Sequence, residues 1–154
     1  MNSVCKFRGI LIFSFFTLCL LLINPSGIMA EPNIKITVKT IFASGKGTSI
    51  DPSLKELAQE LQSVFRYSSY EFLGQKNLKL TLNKKGVVTL PEQRIMNISV
   101  QGIEDNRVIL DIEIQKNNSR IFQTTIKLSN NRSLTIGGPE YKGGNLLFNI
   151  FASF

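Results

Sequence analysis

The 154-residue sequence contains no histidine and no tryptophan, and its two cysteines, Cys5 and Cys19, fall within the first thirty residues. Residues 31–154 therefore offer no imidazole, thiol or indole. Those groups hold most transition metals, exchange disulfides and drive Cys–His or Ser–His nucleophilic catalysis. Their absence leads to the expectation of no catalytic residue, no metal ligand set, no cofactor and no enzyme activity. Any mechanism here would rest on Asp/Glu, Ser, Tyr or Lys, and no constellation of them stands out. Exported domains too small to build a core are normally stapled by disulfides. The 124 residues after position 30 have no staple and are long enough to bury a core without one.

The first thirty residues read as an export signal. Lys6 and Arg8 precede an apolar run from Ile10 to Ile23, Asn24-Pro25-Ser26-Gly27 breaks it, and Ala30 supplies the small residue before a cut. This is the n-region, h-region and cleavage site of a secretory signal peptide. The apolar run is short of the ~20 residues that a spanning helix requires. Cys19 lies inside that run behind Leu18, not at its end as in a lipoprotein. The expectation is cleavage after Ala30 and a single domain over 31–154, located in the periplasm or cell envelope of a Gram-negative bacterium.

Removing Lys6 and Arg8 with that segment leaves 16 basic against 11 acidic side chains, a net charge of +5. The cations are scattered, and Lys84-Lys85 is the longest basic run. A solvated surface accounts for them, and nucleic acid is not expected as a partner.

After position 31 one strand, one helix and a series of strands follow. Ile34, Ile36 and Val38 alternate with Lys35, Thr37 and Lys39, the period of a half-buried strand. Asp51 is a helix N-cap and Pro52 fits the first helical position. Leu54, Leu57, Ala58, Leu61, Val64 and Phe65 then form one apolar stripe, which predicts an amphipathic helix of about 14 residues lying on a sheet. From Tyr70 onward the spacing is that of strands. Tyr70–Leu73 reads as a short strand and Leu78–Leu82 as another. Asn83-Lys84-Lys85-Gly86 reads as a hairpin turn with Gly86 at positive φ, and Val87–Leu90 pairs back on Leu78–Leu82. Later turns are expected at Glu104–Asn106, Lys116–Ser119 and Ser129–Asn131, where asparagine tolerates a left-handed backbone. The predicted class is α+β: one amphipathic helix after the first strand, packed on a large, mostly antiparallel, bent or partly closed β-meander.

Four stretches invite functional readings. Gly45-Lys46-Gly47-Thr48-Ser49 lacks the spacing of a phosphate-binding loop and reads as a plain loop. Asp111 and Glu113 point to the same side of one strand, as a hydrolase pair would, but their alternation with Leu110, Ile112 and Ile114 reads as a solvated face. Phe65 to Phe72 packs the helix end onto the sheet, with Tyr67 and Tyr70 as alternatives for the rim of a groove. Gly137 to Gly144 reads as a Gly-rich loop in which Gly138, Pro139, Tyr141, Lys142 and Gly143 are candidate partner contacts, or else as a wide turn. The alternation from Leu146 to the terminal Phe154 is like the last strand of an outer-membrane barrel. Strands of five or six residues would be too short for one, since barrels need ~9–11.

The chain resembles a group of small exported bacterial proteins of unknown activity. The resemblance rests on Ala43-Ser44, Asp51-Pro52-x-Leu54, Phe65-x-Tyr67-Ser68-Ser69-Tyr70, Leu90-Pro91, and Gly137-Gly138-Pro139 with Gly143-Gly144. It implies an envelope location and brings no catalytic residues. The expected role is a binding or scaffold protein that meets an envelope protein, or a second copy of itself, through edge strands or the Gly-rich loop. A membrane surface is left open as a partner. The alternatives are a carrier holding a small apolar ligand between helix and sheet, and a small outer-membrane β-barrel.

Overall fold

The structure, a computed structural model, describes residues 32–154; the expected signal peptide and its cleavage site lie outside them. Eight strands follow in chain order: β1 (Ile34–Ser44), β2 (Ser69–Leu80), β3 (Lys85–Leu90), β4 (Arg94–Glu104), β5 (Arg107–Lys116), β6 (Ser119–Ser129), β7 (Arg132–Tyr141) and β8 (Gly144–Ser153). They form two antiparallel four-stranded sheets, ordered β2-β1-β8-β7 (sheet A) and β3-β4-β5-β6 (sheet B), not closed into a barrel. The α+β class with a single helix after the first strand is as expected, and the meander is divided between the two sheets.

Alternation decides the layers. Ile34, Ile36 and Val38 of β1 and Leu146, Phe148 and Ile150 of β8 face Met96, Ile98 and Val100 of β4 and Leu110, Ile112 and Ile114 of β5, all in one buried core. Each strand turns its apolar period-two face inward, and the sheets pack face to face. Seven strands run 10 to 12 residues and only β3 has six. The expectation of five- or six-residue strands is corrected here. Two-residue turns and bulges let the strands absorb flanking residues, so apolar periodicity underestimates their length. Asp105-Asn106 and Asn117-Asn118 both take positive φ, the requirement of the tightest hairpins.

Tyr70–Leu73 and Leu78–Leu80 belong to one strand, bent where Thr40 pairs with Gly74 and Ile41 with Phe72, which leaves Leu73 as a bulge. The expected hairpin of β2 with β3 is also corrected, because β3 pairs with β4. Asn83, not Gly86, has positive φ. Gly86 lies in β3, where a Cβ would stand 2.7 Å from the Leu78 side chain and 3.2 Å from that of Leu80. The two sheets converge there without a ladder.

A second apolar cluster lies on the outer face of sheet A. Ile41, Ala43, Tyr70 and Leu147 meet Leu54 and Leu61, with Leu57 and Phe65 beside them. Asp51 caps as expected, accepting from Ser53 N at 2.9 Å. The helix is shorter than expected. Pro52–Leu54 is a 3-10 turn, and only Ala58–Val64 (α1) is α-helical. Leu54, Lys55 and Leu57 N–H groups each bond the carbonyl three residues back, and the α pattern begins with Leu61 bonding Leu57. The Tyr70 hydroxyl closes the far end by donating to Leu61 O at 3.1 Å and Phe65 O at 3.0 Å. Burial pushes its phenol pKa up. Val64, expected in the stripe, is 65 % exposed, because Leu61 and Phe65 supply the sheet contact at that end.

Leu61→Ala should therefore cost about 2–5 kcal/mol of unfolding free energy, whereas Val64→Ala should change it by less than about 0.5 kcal/mol. Urea denaturation of the two variants checks the contrast.

Candidate functional site

The Gly137–Gly144 segment is strand and tight turn, which corrects the reading as a Gly-rich loop. Between the pairs Gly137↔Leu147 and Glu140↔Asn145, two β7 residues, Gly138 and Pro139, oppose one β8 residue. This is a bulge on an edge strand, where proline's missing N–H does no harm. A Cβ at Gly138 would run into the Phe148 ring and lie 3.1 Å from Leu146 O. Lys142 and Gly143 both have positive φ and form the two-residue turn into β8. Tyr141 is 8 % exposed, and its ring meets that of Phe42 edge-on at 5.3 Å between centroids. Lys142 Nζ stands 5.2 Å from the Tyr141 centroid, and its pKa is raised, chiefly by the Tyr141 side chain beside it. Of the five candidate residues, Gly138 and Tyr141 thus serve packing, Pro139 is half-buried in the bulge, and Lys142 and Gly143 form the exposed tip.

The aromatic stretch after the helix joins the same region. Tyr67 OH donates to Asn145 Oδ1 at 2.8 Å, and Asn145 Nδ2 donates to Gly138 O at 3.3 Å. One asparagine thereby links the helix exit to the β7 bulge. Tyr70 is interior. Asp111 and Glu113 lie on the outer face of sheet B beside Thr125 and Gln123, half-buried, as the solvated-face reading expects. Thr125 Oγ1 donates to Asp111 at 3.2 Å, and Gln115 Nε2 donates to Glu113.

A polar cluster that the sequence reading missed sits at the β3–β4 turn. Arg94 points inward like Met96 and Ile98, and its side chain is 8 % exposed. Its Nη2 reaches Glu140 O of the other sheet at 2.9 Å and Glu92 Oε2 at 2.9 Å, while Lys116 holds the same carboxylate oxygen at 3.1 Å. Nε and Nη1 of Arg94 are buried with no partner among the described residues. Glu92 and Gln93 both adopt positive φ, which is uncommon for these residue types. The hydrogen bond from Lys116 comes first among the causes that hold the Glu92 carboxyl below its ordinary range, with the charges of Arg94, Lys116 and Lys142 adding to it. Nothing in the spacing Glu92-x-Arg94 signals that a turn residue reaches across the sandwich.

Two concave sites stand out among the described residues. The first is a groove of about 440 Å³ along the seam where β2 and β3 part. Leu73, Gly74 and Lys76 line one side and Val87, Val88 and Leu90 the other. Both flanking strands are sheet edges, and Val87 is 50 % exposed. The second, of about 370 Å³, lies beside α1 on the outer face of sheet A. No group of three or more His, Cys, Asp or Glu suited to a metal occurs among the described residues. The space between helix and sheet, where a carrier would hold an apolar ligand, is occupied by Ile41, Leu54, Leu61, Tyr70 and Leu147.

In comparisons with known proteins, the chain matches no family model, no curated protein and no solved structure.

Tyr141→Ala should destabilise the fold by about 3 kcal/mol, as loss of a buried ring does, and denaturant unfolding measures it. Glu92 gives a pH-dependent expectation. Its folded pKa is depressed, so its contribution is present above the unfolded carboxyl value and is lost as pH falls through the folded one. The gap in urea midpoint between wild type and Glu92→Gln should therefore close on acidification below about pH 4. A gap that stays constant into acid would contradict the ion-pair account.

Proposed function

We propose that this chain is an exported, non-enzymatic binding or scaffold module of a bacterial envelope, and that its partner joins at the β2–β3 seam. One observation carries the reading: consecutive strands β2 and β3, joined by a tight turn, do not pair with each other and flank a groove of about 440 Å³. A hairpin left open presents two facing rows of backbone N–H and C=O groups. Such rows are a template for an added strand, and native proteins usually blunt them. An extended segment of a partner would pair with the edges, and its alternate side chains would meet Leu73, Val87 and Leu90. Lys76 on the wall and Lys84 and Lys85 at the turn favour a segment carrying acidic residues. The envelope location rests on the export signal read in residues 1–30. The exposed Lys142-Gly143 tip is a secondary contact in this proposal. The absence of histidine and cysteine after residue 30 supports a non-enzymatic role.

A photo-activatable residue at Val87 tests the proposal in the host's own envelope. It should give a discrete protein adduct, identified by mass spectrometry, that the same probe at Thr125 on the outer face of sheet B does not give. Equal labelling at both positions, or none at Val87, would count against strand addition at the seam.

A further inference from the structure

We propose that the groove between α1 and the outer face of sheet A binds a saccharide ring. The site is separate from the seam and does not depend on it. Its origin is the pattern of β1, whose outward residues run Lys35, Thr37, Lys39, Ile41, Ala43. The helix covers only Ile41 and Ala43. The polar half of the face stays open, and the helix edge forms a wall beside it. The resulting groove, about 370 Å³, falls within the roughly 300–1,000 Å³ of small-molecule sites.

The lining selects the ligand class. Glu56 and Glu60 stand on the helix side, Lys39 on the sheet side, with Thr37, Asn149 and Phe151 between. Asn149 is 6 % exposed, an amide embedded in the central strand of a sheet. Its Nδ2 donates to Thr135 Oγ1 at 2.9 Å, and that hydroxyl lies 3.5 Å from Glu60 Oε1. The relay ties a carboxylate of the helix to the floor of the groove before any ligand arrives, and it leaves the Asn149 carbonyl oxygen and second amide hydrogen for a partner. Thr37 donates its hydroxyl to Asn77 at 3.0 Å and keeps its lone pairs for the groove.

The other ligand classes fit less well. An anion would be repelled by Glu56 and Glu60. A cation would meet Lys39. An apolar molecule would strip water from two carboxylates, a hydroxyl and an amide without replacing their hydrogen bonds. Two carboxylates with no third ligand do not make a metal site. A neutral polyol satisfies both signs of charge through its hydroxyls, which donate to Glu56, Glu60 and Asn149 and accept from Lys39. The half-buried ring of Phe151 supplies an aromatic surface for the polarised C–H groups on a sugar's apolar face.

The test is a backbone-amide NMR titration of the protein produced from the full-length chain. The probes are glucose, N-acetylglucosamine and cellobiose, compared with inorganic phosphate, spermidine and laurate. At least one saccharide should give saturable shifts confined to residues 37–39, 56–60, 133–135 and 149–151. The double variant Glu56→Gln/Glu60→Gln, which alters exposed side chains only, should keep the native spectrum and bind about tenfold more weakly. Phe151→Ser should bind more weakly still. No response to any of the three saccharides overturns the proposal. So does a groove response to phosphate, spermidine or laurate instead, or saccharide binding that is unchanged in the double variant.

Discussion

The pairing of the first described strand with the last is the constraint from which the rest of the structure follows. β1 and β8 share nine consecutive register pairs, from Lys35↔Ser153 to Ala43↔Asn145. Together they form the middle of sheet A. Their inner faces make half of the sandwich core, and one end of their outer faces, around Ile41, Ala43 and Leu147, together with Tyr70 of β2, is the ground on which the short helical segment rests. A helix of seven residues is far too short to stand alone. It persists because Leu54 and Leu61 are buried on that ladder and because Tyr70 takes up its last carbonyls. Drawing both ends of a meander into one sheet also makes the chain leave sheet A once and return to it once. Those two crossings, between β2 and β3 and between β6 and β7, are where the sheets stay open.

Both candidate surfaces are consequences of that arrangement. The seam exists because β2 pairs with β1 in sheet A while β3 pairs with β4 in sheet B. Gly86 lets the two approach closely at the turn, after which they diverge toward Gly74 and Pro91. The polar groove exists because the helix covers one end of the β1–β8 face and not the other. At the opposite end of the interior, Arg94 crosses from sheet B to the Glu140 carbonyl of sheet A and fastens the β7 bulge. Two buried guanidinium nitrogens without partners among the described residues are a cost, and the carboxylate of Glu92 offsets part of it. A chain with no disulfide after residue 30 relies on such contacts between sheets.

Much of the fold was legible because each strand's inward face is apolar at period two, and because asparagine marks the turns at Asn83, Asn106, Asn118 and Asn131. The Asp51-Pro52 start of the helical segment was legible for the same local reason. Other features depend on distant partners and were not. Leu78–Leu80 and Val87–Leu90 look like the arms of a hairpin, and only the sheet to which each is committed separates them. The glycines at 137 and 138 looked like freedom for a loop. At Gly138 the need is space, since the Phe148 ring lies where a Cβ would be. Tyr141 looked exposed because its neighbours are loop-forming residues, yet its ring closes the core against Phe42. The groove beside α1 draws on Thr37, Glu60, Thr135 and Asn149, which lie on four elements, and no spacing rule joins them.

Amide hydrogen exchange in the native state tests the open seam, on which this account turns, most directly. Amides of β1 and β8 such as Val38 and Ile150, paired on both sides, should exchange at the slow limit set by global unfolding. Alternate amides of β3 between Gly86 and Leu90, and those of β2 between Leu73 and Lys76 that face the seam, should exchange orders of magnitude faster. Protection across the seam equal to that of Val38 and Ile150 would mean that β2 and β3 pair in solution, and would contradict an edge available for strand addition.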